Sequence, residues 1–205
     1  MNPDPIAESR LWIERIVIGL NLCPFAGRVF RDDTIRFTIS DAASAEGLLD
    51  DLSGELRRLI AEPIESIETA ILIHPHVLQD FLDYNDFLAR ADERLAELAL
   101  VGVVQIASFH PQYRFAGTKP DSIENFTNRS PYPMLHLLRE ESISKVADDP
   151  EFLAGIPTRN IAALRKLGMR KLKQLFPSEP QAQAAFFCSQ TQLTLAALKN
   201  LRRCA

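Results

Sequence analysis

The sequence predicts an α/β (or α+β) fold: a small, parallel three-stranded sheet with flanking helices and a carboxy-terminal helical extension. Three observations lead there. Segments with helical spacing alternate with short strand-like runs up to Phe109. Two of those runs, Thr69–Ile73 and Val101–Phe109, are apolar on both faces, as buried parallel strands are. Beyond Pro131 the pattern turns wholly helical. An antiparallel, ferredoxin-like sheet is the alternative arrangement.

Trp12, Ile13, Ile16, Val17 and Leu20 fall on one helical face and predict a first helix over about residues 6–21, ended by Pro24. Ile35, Phe37 and Ile39 alternate with Arg36 and Thr38, the signature of a strand over 34–40. Leu48, Leu49, Leu52, Leu56 and Leu59 mark a second helix, with Ser44 as its cap. The run at 69–73 is a second strand. Phe81, Tyr84, Leu88, Ala91, Leu95 and Leu98 line a third helix, and 101–109 is a third strand. Further helices are predicted over 133–146, over 160–167 with Gly168 as its stop, in a short basic segment after it, and over 180–202.

The chain divides into an α/β core over residues 1–148, which carries a long polar segment at 110–132, and a helical extension over 149–205. The extension is expected to pack on the core within one domain. Asp148-Asp149-Pro150 is the boundary. A net charge of −4 gives no global case for nucleic acid as a partner. The run of basic residues Arg159, Arg165, Lys166, Arg170, Lys171 and Lys173 reads as a solvated face. No apolar run reaches the roughly 20 residues that span a bilayer, so no membrane partner is expected. The first ten residues lack a signal-peptide pattern. Cys23, Cys188 and Cys204 are too few and too far apart for a disulfide scaffold or a CxxC zinc site. Together these features point to a cytoplasmic protein.

In open parallel sheets, ligands bind beyond the carboxyl ends of the strands. The three predicted strands run into Ser40-Asp41, His74-Pro75-His76 and Ser108-Phe109-His110. His110 opens the polar segment and is the candidate general acid or base. His74 and His76, two apart, would share one side of an extended strand. Pro75 distorts that geometry and no third ligand stands nearby, so no metal is expected. Asn128-Arg129-Ser130 precede Pro131, Pro133 and the predicted helix. Ser130 would cap that helix, and Arg129 beside free helix-start N–H groups would bind an anion. Asn125 and Asn128 would orient the substrate. His136 and Glu140, one turn apart on that helix, would form an oriented imidazole. Cys23 lies where the first helix breaks, and Cys with His is a known nucleophile–base combination. A small buried hydrophobe is the plainer reading of the same cysteine.

These segments together resemble an uncharacterised bacterial and plant family, domain of unknown function 1415. The resemblance is carried by WIERIVIGLNLCPF (Trp12 to Phe25), IHPHVLQDFLDYNDF (Ile73 to Phe87), the stretch from Val104 to Glu140 with its NRSPYPMLHLLRE block, and IPTRNIAALRKLG (Ile156 to Gly168). It implies an aromatic residue where His76 stands, which counts against His76 as a ligand. It implies no particular activity or cofactor.

The functional expectation is an enzyme acting on a small polar or anionic metabolite at the strand ends. His110, Cys23 and His136 would be catalytic, and Arg129, Asn125, Asn128 and Ser130 would bind substrate. The alternative is a binding module without chemistry, possible contacts of the basic tail with nucleic acid included.

Overall fold

The computed structural model describes residues 4–146 and 150–177. The chain opens with α1 (Pro5–Trp12), capped by Asp4, and continues into a six-residue π-helical stretch, Ile13–Ile18. Within that stretch the hydrogen bonds widen, as from Gly19 N–H to Glu14 O at 3.0 Å. The extra residue per turn keeps Trp12, Ile13 and Ile16 buried together. Gly19 suits this geometry, because a Cβ there would stand 2.3 Å from the Arg15 carbonyl oxygen.

After a turn through Asn21 and Cys23 come α2 (Ala26–Arg31), β1 (Ile35–Ile39), α3 (Ala45–Ala61), β2 (Thr69–Ile73), α4 (Phe81–Glu97) and β3 (Val104–Phe109). Ser44 caps α3 as its sequence predicts, accepting from the Gly47 N–H at 3.2 Å. Asp80 caps α4 with two bonds, from Leu82 N–H at 2.8 Å and Asp83 N–H at 3.3 Å. Asp80→Ala should therefore cost about 1 kcal/mol of stability, read as a lower urea midpoint with an unchanged slope. An unshifted midpoint would remove the cap from the account.

The structure departs from the sequence expectation after Pro133. Residues 134–139 are a strand, β4 (Met134–Arg139), not the first turns of a helix. Only the following residues coil, as α5 (Glu140–Val146). The cause is local. Pro131 and Pro133 bias the residues before them toward extended backbone. Met134, Leu135, His136, Leu137 and Leu138 then give an apolar face on each side of a strand, as a central position requires. The sheet accordingly has four strands in the order β1-β2-β4-β3. β1 pairs with β2 in parallel, while β4 runs antiparallel to both β2 and β3. The three strands read from the sequence share one direction, but the sheet is mixed.

Both faces are covered. Leu72, Leu135 and Leu137 face α3 and α4, in a cluster with Leu52, Leu56 and Tyr84. Ile71, Ile73 and Met134 face the other way, toward Trp12, Ile13 and Ile16. That second layer also receives α6 (Pro150–Leu167) and α7 (Met169–Leu175), through Leu164, Leu172 and Phe176. Gly168 separates those helices at φ 82°, where glycine is unstrained. The helix expected over 180–202, Cys188, Cys204 and the Asp148-Asp149 corner lie outside the described residues. Among the described residues no helix is long and apolar enough to cross a membrane.

Candidate functional site

The sheet's parallel ends converge as the sequence suggests, and most of their polar groups are used internally, the buried Nε2 of His74 being without a hydrogen-bond partner among the described residues. His110 is fully buried. Its Nδ1 accepts from the Gln112 N–H at 3.0 Å, so Nε2 carries the proton and donates to Leu78 O at 3.2 Å. His74 is equally buried and donates from Nδ1 to Val77 O at 3.0 Å. The two imidazoles flank Tyr84, with ring centroids at 5.7 Å for His74 and 5.0 Å for His110. Tyr84 donates to Met134 O at 2.9 Å and accepts from the Phe109 N–H at 3.0 Å, tying α4 to β3 and β4. Burial pushes both histidines down to about 4 and pushes the Tyr84 phenol up. His76 is exposed, turned away from His74 by the Pro75 turn. Among the described residues no group of His, Cys, Asp and Glu is arranged to hold a metal.

The polar segment is organised around Asn125. Its side-chain oxygen accepts from the Phe115 N–H at 3.1 Å and the Thr118 hydroxyl at 2.8 Å, and its amide donates to Lys119 O at 2.8 Å. Asn128 donates to Ser108 O at 3.2 Å, and its own carbonyl accepts from the His110 N–H at 3.2 Å. Arg129 donates to the carbonyls of Tyr113 and Pro120 and lies 4.3 Å over the Phe126 ring. Ser130 is buried and donates to Tyr132 O at 2.6 Å. It caps no helix, because β4 and not a helix follows. The helix-start N–H groups expected beside Arg129 are thus replaced by the start of a strand. The Phe109 end of β3 does meet this point, paired with Met134.

Cys23 and His136 come together elsewhere. Both line a pocket of about 140 Å³ between the α1–π-helix arm, α2, α5 and one sheet face. Trp12, Ile13, Val17, Ile71 and Phe109 make its walls mostly apolar. Asn160 on α6 donates to Leu22 O at 2.7 Å and so anchors the turn that presents Cys23. Cys23 is a free, half-buried thiol.

His136 is oriented, though not by Glu140, which begins the helix beyond β4. Its Nε2 lies 2.7 Å from the Thr69 hydroxyl, and that hydroxyl also lies 2.6 Å from Leu137 O. A hydroxyl has a single proton, and the carbonyl can only accept. Thr69 therefore donates to Leu137 O and accepts from His136 Nε2–H. This fixes the tautomer and leaves Nδ1 as a lone pair, with no hydrogen-bond partner among the described residues. Burial pushes this imidazole down to about 4, so it is neutral near pH 7. The Trp12 indole N–H and the Ser142 hydroxyl, on pocket-lining residues, are also buried without partners.

Two guanidiniums border the pocket. Arg28 forms a two-pronged ion pair with the buried carboxylate of Glu68, one bond at 2.8 Å. Arg139 donates to the carbonyls of Leu59, Glu62 and Ile67. Arg28, Glu68 and Ser142 also line a wider groove of about 510 Å³, so they stand where the pocket meets it. No sequence motif joins Trp12, Thr69 and Arg28; only the β1–β2–β4 pairing brings them together. On the basic tail, Lys166, Arg170, Lys171 and Lys173 are exposed, and Arg165 lies 3.7 Å from Glu124.

No curated protein and no solved structure matches this chain. The sequence model of one family, described as "Protein of unknown function (DUF1415)", matches residues 4–174, and with that match across most of its length the chain belongs to the DUF1415 family.

Proposed function

We propose that this protein is a cytoplasmic enzyme acting on a small molecule held in the Cys23–His136 pocket. The observation that carries this reading is the Thr69–His136 arrangement. It spends one ring nitrogen on positioning and leaves the other as a proton acceptor on a residue that lines the same pocket as the Cys23 thiol. Positioning of an imidazole by a hydrogen bond at its far nitrogen is how acid–base histidines are commonly oriented. The expected site at the strand ends has less support, since the polar atoms of His110, Asn125 and Ser130 are engaged within the fold. In this reading Cys23 is the nucleophile, and His136 Nδ1 takes up the thiol proton as the sulfur attacks the bound molecule. The π-helical wall fits a site as well, since such stretches recur at functional positions.

Iodoacetamide labelling of the native chain near pH 7.5, followed by mass spectrometry, tests it. Cys23 should label in the folded protein, and His136→Phe should slow that labelling about tenfold. Labelling of Cys23 only after denaturation would make it a packing residue and remove the nucleophile. Unchanged labelling in His136→Phe would leave a binding pocket without this catalytic pair.

A further inference from the structure

We infer that the pocket selects a neutral molecule of about benzene size carrying a hydroxyl or similar hydrogen-bond donor, and discriminates against anions. The inference rests on the reading that the Cys23–His136 pocket is the functional site, and it names the class of ligand.

Size comes first. The cavity of about 140 Å³ is close to the roughly 150 Å³ of an apolar cavity known to take up benzene. Trp12, Val17, Ile71 and Phe109 offer the ring or short chain an apolar surface. Charge comes second. An anion needs a free cation once it leaves water. Arg28 is held by Glu68, with Asp32 a further 3.8 Å contact, and Arg139 is tied to three backbone carbonyls. An anion beside Arg28 would also face the Glu68 carboxylate. Hydrogen bonding comes third. His136 has already given its proton toward Thr69, so Nδ1 can only accept. A hydroxyl or N–H donor on the ligand satisfies it, and a neutral carbonyl on the same molecule, the group Cys23 would attack, can accept from the unpartnered Trp12 indole N–H or Ser142 hydroxyl; a carboxylate leaves Nδ1 without a donor.

The test is binding of toluene, phenol and benzoate to the full chain at pH 7, followed by NMR. Toluene and phenol should both bind, and benzoate should bind at least tenfold more weakly than phenol. The ratio of phenol to toluene affinity should fall about tenfold in His136→Phe, which isolates the hydrogen bond from the hydrophobic term. Thr69→Val, which releases the tautomer without filling the pocket, should lower the same ratio. A ratio unchanged in both variants overturns the donor requirement while toluene binding keeps the pocket. Benzoate binding tighter than phenol overturns the neutral class. Failure of all three to bind, or to slow labelling of Cys23, overturns the pocket reading itself.

Discussion

Lowering the pH from 7 to 4 should cost this protein about 3 kcal/mol of stability for each of His74 and His110. Both imidazoles are buried, and burial holds them at about 4. An unfolded chain returns them to about 6.5. Their folded values are depressed, so above about pH 6.5 both states hold them neutral and the full stability is present. As the pH falls from 6.5 toward 4, the unfolded chain takes up protons that the folded chain refuses, and stability drains away. Beside burial, the charge of His110 disfavours that of His74, while at His110 the Leu78 carbonyl and Asp80 favour the charged form more strongly than Arg129 opposes it. Net stabilities of domains are about 5–15 kcal/mol, so the sum is large enough to unfold the chain. Urea titrations at pH 7, 6 and 5 measure the slope. His74→Phe, which keeps a ring against Tyr84, should flatten it by the share of one proton. His136, also held at about 4, steepens the same slope, and a midpoint constant from pH 6.5 to 5 would contradict these neutral imidazoles.

Asn125→Ala should cost about 2–3 kcal/mol and open the segment between His110 and Pro133 to proteases. The side chain is fully buried and makes four hydrogen bonds within the loop. Its removal leaves the Phe115 N–H without its partner and the Lys119 carbonyl with only the Ser122 N–H, and a buried unpaired polar group costs about 1–3 kcal/mol. Asn125→Asp separates the two halves of the role, since it keeps the acceptor and loses the donor. Limited trypsin digestion reports the loop, with Arg114 and Arg129 as its cleavage points. A variant with the native digestion pattern and midpoint would show that the loop is held by Arg129 and Ser130 instead.

The helices α3 and α4 and the strands β1, β2 and β3 were legible because each shows one clean period and a cap or turn at its start. β4 was not. Its apolar run of MLHLL has the right length for a strand, yet a Pro before it and charged residues after it equally mark a helix start. What decides is the gap between β2 and β3, and no local signal announces that gap. The short α2 and the π-helical stretch were missed for a related reason, since neither is long enough to show a period. Cys23 and His136 were both legible as chemistry-bearing residues. Their meeting was not, because it depends on His136 pairing opposite Ile71 and Ala107. The partner of His136 was expected on its own helix, at Glu140, and instead arrives from β2 as Thr69. Asn125, Asn128 and Arg129 stood out by polarity alone, which does not distinguish a group facing a ligand from one that holds a loop together.

The place of β4 also constrains the order of events during synthesis. A nascent chain that has emerged only as far as Phe109 has β1, β2 and β3 but cannot zip them into one sheet. β2 and β3 run in the same direction with a strand-wide slot between them, and both present unsatisfied N–H and C=O groups to it. Such open edges invite pairing with other chains. The slot closes only when residues 134–139 arrive, 69 residues after their β2 partner at the Thr69–Leu138 end and 61 at the Ile73–Met134 end. The keystone is therefore delivered late. Interruption of translation anywhere between Phe109 and Met134 should leave a fragment prone to self-association rather than a smaller stable sheet.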